Sequence, residues 1–344
     1  MALQRKLPGA KCIVPTDTSE HPILSFTIPT YNRSAYLRVL LSSLLEELRG
    51  DSRVEVIVSD NASTDDTPAV VQEKQERGLP LRYIRNEVNL GADANILQCY
   101  EQAKSKYVWI FGDDDMVAPD GLRRVLSTLD TQDYDLIAIR CYTYTGPYTG
   151  HCSFKHKDDL IFTRAEDLAW HVHVFFTFIS AFIINKERVS SLAHPPFESL
   201  LNTSLIQLGP YFTAMNNHRR SLLIQDPLIA ATGNETVAYN IFQVFGVNLT
   251  EVVRLWLHLP RAQNAILNGS IRIFFPQYLI RLRVLRQTNQ SRLALSTLYT
   301  SLAPNPRLWF YAYLICALPL PALRIWTYVL RISNKFTKLT RLPW

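Results

Sequence analysis

The protein has 344 residues, of which 47% are hydrophobic and 19% are charged. This composition excludes a disordered chain, which cannot bury enough apolar surface, and predicts a substantial core. The net charge of +6 is uneven, because residues 251–344 hold 13 of the Lys and Arg residues and a single acid, Glu251. That asymmetry predicts a polyanionic partner for the C-terminal region. The five cysteines are scattered without a C-x-x-C pair, which favours a reducing compartment and excludes a disulfide framework or a zinc site.

Strand and helix patterns alternate after residues 1–22, which we predict to be an irregular lead-in without a signal peptide. Short apolar runs predict strands at Leu24–Ile28, Val54–Val58, Leu81–Arg85, Tyr107–Phe111 and Asp135–Arg140. Apolar positions at helical spacing follow each of the first four runs. The alternation predicts an α/β domain with a mainly parallel sheet and helices on both faces.

Polar clusters lie at the carboxyl ends of four of the predicted strands. Their sequences are PTYNR (29–33), SDNAS (59–63), NLG (89–91) and DDD (113–115). Ligands of such sheets bind beyond the carboxyl ends of the strands, so we expect these clusters to meet in one site.

The three carboxylates at positions 113–115 are the most informative cluster. Adjacent acids at the end of a buried strand repel each other unless a cation lies among them. Hard oxygen ligands suit Mg²⁺ or Mn²⁺, which usually also hold the phosphates of a substrate. The alternative is a solvated acidic turn before the helix that opens at Pro119.

The series PTYNR, VIVSDNASTDDT, RNEVNLGADAN and YVWIFGDDD resembles family 2 glycosyltransferases of the GT-A fold, and the triplet corresponds to their D-x-D motif. The resemblance covers residues 23–130. Within the family, SDNASTD, NLGA and GDDD are most similar to the abequosyltransferase-like bacterial enzymes of surface polysaccharide synthesis, such as O-antigen. Residues 162–168 and 178–187 fit that subgroup more weakly.

The resemblance implies a role for most residues of the clusters. Pro29, Thr30, Tyr31 and Arg33 would line the nucleotide pocket, with the aromatic ring beside the base and the guanidinium near phosphate. Asp60 would accept a hydrogen bond from the base, with Asn61 beside it, and Asn89 and Gly91 would shape the loop over the nucleotide. Asp113 would face the ribose or sugar. Asp113 and Asp115, with Asp114 between them, would hold a divalent cation that bridges the diphosphate. Asp93 and Asn95 replace the usual Arg or Asn after the NLG loop, which leaves its phosphate contacts open.

The family typically inverts the anomeric carbon, and a carboxylate deprotonates the acceptor hydroxyl. We expect Glu198 to be this base, with Asp226 as the other candidate and an ordinary carboxylate at a helix start as the alternative for Glu198. Residues 131–250 would form the acceptor-side half of a catalytic domain that spans 23–250. In that half we predict a helix through Leu168 and Trp170, a strand at Phe178–Ile184, and mixed helices over 188–250.

The basic region 251–344 has a helical pattern and includes 16 uncharged residues at 308–323. A simple membrane span needs about 20 apolar residues. Aromatic residues beside Lys and Arg favour docking to an anionic membrane surface. The alternative is a pair of helices packed on the catalytic domain.

We therefore predict an enzyme that transfers a sugar from a nucleotide-sugar donor to a saccharide acceptor, with a lipid-linked acceptor as one candidate, at the cytoplasmic face of a bacterial membrane. No nucleic-acid motif is present. Three alternatives stay open: a nucleotidyltransferase, which would need a glycine-rich basic loop after the first strand; a non-catalytic sugar-nucleotide sensor; and a membrane assembly scaffold.

Overall fold

A computed structural model describes residues 22–150, 156–232, 240–303 and 305–339. Its centre is a nine-stranded sheet in the order β3-β2-β1-β4-β8-β6-β9-β5, with β7 added on β9. The strands are β1 (Leu24–Thr30), β2 (Val54–Asp60), β3 (Leu81–Arg85), β4 (Tyr107–Ile110), β5 (Met116–Val117), β6 (Leu136–Tyr144), β7 (Leu160–Phe162), β8 (Phe182–Asn185) and β9 (Ser221–Thr232). Most of the predicted lead-in, residues 1–21, lies outside the described residues.

The first four strands are parallel, as the sequence predicts. β1 lies between β2 and β4, and the register pairs Thr30 with Asp60 and Thr27 with Ile110. The β4 residues are buried on both faces, which explains their continuous apolar run. Because the strands end at one edge, the clusters that follow them converge there.

The second half of the sheet is mixed. β8 is antiparallel to both β4 and β6, whereas β9 is parallel to β6. The strand predicted at Phe178–Ile184 begins later, because residues 173–181 form 3₁₀ turns.

The interpretation of residues 188–250 as mixed helices was wrong for residues 221–232, which form β9, the longest strand. Gln225, Asp226 and Pro227 interrupt its apolar pattern at an irregularity in the register with β6. Proline is tolerated in a strand at such an irregularity, where no ladder hydrogen bond is needed.

Seven helices accompany the strands in the described residues up to Thr232. They are α1 (Ser34–Leu48), α2 (Thr67–Glu76), α3 (Ala92–Gln102), α4 (Gly121–Leu129), α5 (Ala165–Val172), α6 (Lys186–Ser190) and α7 (Leu208–Asn216). Helix α3 packs against β1, β2 and β4, and α1 packs against α2 and α4. The predicted α/β architecture is thus confirmed, with a helix between each pair of successive parallel strands.

The basic C-terminal region is helical, as predicted. Its helices are α8 (Leu249–Trp256), α9 (Pro260–Gly269), α10 (Phe275–Val284), α11 (Thr288–Leu302), α12 (Pro306–Leu308), α13 (Leu314–Ala317) and α14 (Leu320–Leu339), joined by short π-helical segments. Helix α9 packs against α5 and residues 173–177, and one hydrophobic core extends from Leu24 to Leu330. This region therefore shares its core with the sheet domain that precedes it.

The apolar run 308–323 is divided between core and surface. Leu308 and Ile315 are buried, whereas the side chain of Trp309 is 57% exposed. No helix in the described part of the chain combines the length and the apolar character that a membrane crossing requires.

Gly269 permits the close contact between α9 and residues 173–174. A Cβ there would lie 2.5 Å from the Cβ of His173 and 3.0 Å from the backbone nitrogen of Val174. We expect Gly269→Ala to lower the free energy of unfolding by about 1–3 kcal/mol, the usual cost of overpacking. Asn264→Ala, on the exposed side of α9, is the matched control for urea unfolding. Equal stability of both variants would contradict this packing.

Candidate active site

The carboxylate triplet follows β4 at the edge where the parallel strands end. Asp113 is buried and accepts hydrogen bonds from Thr30 Oγ1 and from the Arg33 guanidinium, each at 2.7 Å. The same guanidinium contacts Asp114 at 2.8 Å. The structure thus joins the PTYNR loop to the triplet and balances part of its negative charge.

Asp115 has a different environment. Ser180 Oγ donates to its Oδ2 at 2.6 Å, and the backbone N–H of Thr232 donates to Oδ1 at 3.3 Å. The same Ser180 oxygen accepts the Gly112 N–H at 2.9 Å. A Cβ on Gly112 would lie 3.1 Å from Asp115 Oδ2, so the glycine permits this close approach.

Burial dominates the electrostatics of both carboxyls. Burial, opposed by Arg33 and reinforced by Asp114, raises the pKa of Asp113 to about 6. Burial and then repulsion from Asp114 raise the pKa of Asp115 to about 7. The protein alone therefore compensates little of the charge on Asp115, and a cation at this position would stabilise its ionised form.

The donor set fits a cation that is shared with a substrate. Among the described residues, no three His, Cys, Asp or Glu side chains form a ready-made metal site. Mg²⁺ and similar ions are commonly held by one or two carboxylates together with substrate phosphates. Asp115 suits this arrangement better than Asp113, because the charged Arg33 guanidinium already pairs with Asp113, whereas the donors to Asp115, Ser180 Oγ and the Thr232 N–H, are uncharged.

Asp60 lies at the end of β2 with a fully buried side chain. Its oxygens accept the Ser63 N–H at 2.9 Å and the Tyr83 hydroxyl at 2.5 Å, and the Arg85 guanidinium lies 3.5 Å away. Burial and then the bond to Asp60 raise the pKa of Tyr83. The predicted contact with a base stays a prediction, and a base would have to share Asp60 with these internal donors.

Asn61 organises the NLG loop. Its amide nitrogen donates to Asn89 Oδ1 at 2.7 Å and to the Gly91 carbonyl at 3.1 Å, and its oxygen accepts the Leu90 N–H. Gly91 has a φ of +88°, which favours glycine. Asn95 anchors α3 by bonding the side chain and the carbonyl of Ser59. The loop is thus held in place by side-chain amides, and its exposed residues are free to contact a ligand.

The first two loops are also tied to each other. Asn32 accepts the Thr64 N–H at 2.7 Å and donates its own N–H to Ser63. Asp65 accepts the Ser34 N–H at 2.9 Å. The pKa of Asp65 falls to about 2, because bonds from Thr67 and Ser34 outweigh the opposing effect of burial. The loops therefore form one preorganised rim, with Tyr31 exposed at its surface.

Aromatic side chains line the other side of the triplet. The Arg33 guanidinium lies 5.2 Å from the ring centre of Tyr36. The Tyr144 hydroxyl donates to the Asp114 carbonyl at 3.4 Å, and the Tyr148 hydroxyl donates to the Val117 carbonyl at 3.2 Å. The rings of Tyr144 and Tyr148 meet edge to face with centres 5.3 Å apart. This wall adjoins Asp114 on the side of β6.

The structure does not bring the predicted base, Glu198, to the site. Glu198 is exposed and repels Glu101 near the C-terminal end of α3. That end precedes β4 and so lies at the amino edge of the parallel strands, about 15 Å along the helix from the NLG loop. The expectation for Glu198 is therefore corrected. Asp226 lies in the middle of β9 and contacts His156 at 2.6 Å.

Several residues of the site carry no strong sequence signal. Ser180 lies in an apolar stretch with only a weak family match, and Tyr144 follows the end of the strand predicted at Asp135–Arg140. Tyr83 shares one face of β3 with Leu81 and Arg85, and its contact with Asp60 depends on the register between β2 and β3. Only the three-dimensional pairing identifies them.

Ser180 offers a test of the environment of Asp115 in the metal-free protein. Its hydrogen bond favours the ionised carboxylate, so Ser180→Ala should cost more stability at pH 8 than at pH 5, where Asp115 is protonated. We expect a loss of about 1.5–3 kcal/mol at pH 8, the range for hydrogen bonds to charged groups. Urea unfolding in EDTA, with Ser199→Ala on the exposed 197–200 turn as control, measures it. Equal losses at the two pH values would show that Ser180 does not support the charge of Asp115.

Comparisons with known proteins agree with this geometry. Residues 25–189 match the family described as Glycosyl transferase family 2. Abequosyltransferase RfbV of Salmonella typhimurium is 33% identical over 186 residues, which cover 48% of this chain and 54% of that protein. Poly(ribitol-phosphate) beta-N-acetylglucosaminyltransferase TarS of Staphylococcus aureus is 29% identical over 132 residues, 38% of this chain and 23% of that protein. The chain therefore spans about half or less of the length of these relatives.

Two solved structures share the fold. The crystal structure of S. aureus TarS 1-349 aligns with a TM-score of 0.59 at 19% identity, over 90% of this chain and 91% of that one. The mannosyltransferase PcManGT from Pyrobaculum calidifontis, solved with GDP-Man and Mn²⁺, has a TM-score of 0.52 at 16% identity, over 93% of this chain and 89% of that one. At these identities the likeness shows the fold.

Proposed function

We propose, from the premise that residues 25–189 form a family 2 glycosyltransferase domain, that this protein transfers a sugar from a nucleoside-diphosphate sugar to a hydroxyl of a saccharide acceptor. The observation that carries the proposal is the triplet itself. Buried Asp113 and Asp115 lie at the edge where β1, β2 and β4 end, beside the Arg33 guanidinium. The abequosyltransferase relative supports an acceptor in bacterial surface polysaccharide synthesis.

The donor would lie across the rim formed by the first two loops. Tyr31 would face the base, Asp60 would accept a hydrogen bond from it, and Arg33 would approach the diphosphate. The NLG loop, with Asn89 and Gly91, would cover the nucleotide. Because these loops are already bonded to each other, binding would cost little conformational entropy.

Asp115, with Asp113 and Asp114 beside it, would hold Mn²⁺ or Mg²⁺ together with the diphosphate. The cation would neutralise charge that develops on the departing nucleoside diphosphate. The solved mannosyltransferase complex with GDP-Man and Mn²⁺ supports this cofactor.

The acceptor would approach from the side of Tyr36, Tyr144 and Tyr148, whose rings suit the apolar faces of a sugar. Transfer would invert the anomeric carbon. Since Glu198 lies at the opposite edge, the base for the acceptor hydroxyl has to come from the edge that carries the triplet.

A donor panel tests the function. Wild-type protein with Mn²⁺ is incubated with UDP-, CDP-, GDP- and dTDP-sugars, and release of the nucleoside diphosphate is measured. We expect slow hydrolysis of one class of donor, abolished by chelation. No hydrolysis of any donor, with one nucleotide still bound, would favour a sugar-nucleotide sensor.

We also propose that the protein acts at the inner face of a bacterial membrane. Leu320, Arg324, Ile325, Tyr328 and Val329 repeat at helical spacing on α14 and are all exposed. Trp309 adds an exposed aromatic ring nearby in the chain. An apolar helical face with arginine suits the interface of an anionic bilayer.

This surface predicts a selective loss of membrane binding. Ile325→Gln combined with Tyr328→Gln should release most of the protein from anionic liposomes in a sedimentation assay, because the buried apolar area is lost. Leu255→Gln, at a side chain that is 73% exposed on α8, is the control and should still sediment. Equal sedimentation of all forms, or of wild type with neutral liposomes, would contradict the assignment.

A further inference from the structure

A cavity of about 450 Å³ lies between residues 240–242 and the helices α10 and α11. Its size falls within the range of small-molecule sites. Apolar side chains form much of its wall: Ile241, Phe242, Leu282, Leu293 and Ala294. Arg281 and Tyr278 supply polar groups on one side. The combination of aliphatic walls and a guanidinium suits an amphiphile with an anionic head.

The surroundings of the cavity favour the same ligand. The described residues of the lining include the cation Arg281 and no Asp or Glu side chain, which favours an anionic group in the cavity. Leu293 lines the cavity and is itself 68% exposed, and Val284 and Leu285 at the end of α10 are also exposed. The apolar wall therefore continues onto the protein surface, where a long chain could enter.

The cavity is also connected to the candidate active site. Thr232, whose N–H bonds Asp115, precedes Asn240 by eight residues, which can span at most about 29 Å. Asn248 ends the short helical segment 243–248 that follows the cavity residues 240–242, and its side chain donates to the Thr203 carbonyl. The neighbouring Ser204 N–H donates to Asp93 at the start of α3. The segment that lines one side of the cavity is thus followed closely by a residue that contacts the chain beside the start of α3, next to the NLG loop.

We propose that this cavity binds the hydrocarbon chain of a lipid phosphate, with Arg281 facing the phosphate, and so holds the lipid end of a lipid-linked acceptor. This inference rests on the proposed function for the identity of the acceptor. The binding itself needs only the cavity.

Dodecyl phosphate below its micelle concentration is the probe, and dodecyl maltoside is its neutral match. Calorimetric titration of the full chain should show one saturable site for the phosphate and at least tenfold weaker binding of the maltoside. Arg281→Gln and Leu293→Gln should each weaken binding of dodecyl phosphate at least tenfold. The matched controls are Arg292→Gln, an exposed neighbour on α11, and Leu255→Gln, at an exposed side chain of α8; both lie outside the lining.

Three outcomes would overturn the proposal. Equal binding of phosphate and maltoside would remove the role of Arg281. Equal loss in the control variants would show that the helices provide only a charged surface. Binding to phosphatidylglycerol vesicles without binding to monomeric dodecyl phosphate would assign the region to the bilayer. Donor hydrolysis by the wild type is measured in parallel, so that its absence alongside intact dodecyl phosphate binding would count against the proposed function and not against the cavity.

Discussion

Asp115→Asn should lower sugar transfer by about 100-fold or more while the protein stays folded. The substitution removes the carboxylate that we assign to the cation and keeps its size, so the loss falls on stabilisation of the departing diphosphate. Initial rates with the active donor of the panel, measured with saturating Mn²⁺, provide the test.

Stability should change in the opposite direction. A carboxyl whose folded-state pKa is raised destabilises the fold once it ionises. The metal-free wild type should therefore lose stability as the pH rises from the ordinary pKa of 3.8 to the folded value of about 7. A pKa difference of about three units corresponds to a loss of at most about 4 kcal/mol in the free energy of unfolding. Asp115→Asn should remove this pH-dependent loss and melt at or above wild type at pH 8 in EDTA.

Two results would contradict this role of Asp115. Full activity of the variant, or of the wild type in excess EDTA, would show that no cation is needed there. Asp130→Asn is the control, because its exposed carboxylate pairs with Arg53 away from the triplet.

Asp60→Ala should weaken nucleoside-diphosphate binding by about 1–3 kcal/mol. The range is that of a hydrogen bond to a charged group, here the bond predicted between the base and Asp60. The substitution also leaves the Ser63 N–H and the Tyr83 hydroxyl without their acceptor in a buried position. Because Ser63 also bonds Asn32, the disturbance should reach the PTYNR loop. Calorimetric titration with UDP, CDP, GDP and dTDP measures the loss.

Tyr83→Phe separates loop support from contact with the base. It removes one of the two donors to Asp60 and leaves the carboxylate in place, so its effect should be smaller than that of Asp60→Ala. If Asp60→Ala binds every nucleotide as the wild type does, Asp60 is only a turn residue. If both variants lose affinity equally, Asp60 acts through Tyr83 alone.

The parallel half of the fold could be predicted because its signals are local. Each strand is a short apolar run and each helix has its own apolar stripe, such as Leu37, Leu41 and Leu44 of α1. The clusters converge because parallel strands end at one edge. The meeting of these loops could therefore be predicted from the sequence, whereas the roles of their residues stay predictions.

The second half depends on contacts that no short segment specifies. β9 pairs with β6 across a register irregularity at Pro227, and its polar interruption resembles a loop in the sequence. Ser180 reaches Asp115 only because β8 lies beside β4. The position predicted for Glu198 was wrong for the same reason. Whether Glu198 lies at the amino or the carboxyl edge of the parallel strands depends on the path of residues 186–207 beside α3.

The most direct test of the central claim is a calorimetric titration of the wild type with nucleoside diphosphates, once with Mn²⁺ and once with EDTA. We predict that one nucleoside diphosphate binds at a single site, and that chelation or Asp115→Asn weakens it at least tenfold. Identical affinity with Mn²⁺ and with EDTA, or binding of no nucleotide under either condition, would contradict the assignment of this edge as a cation-dependent nucleotide-sugar site.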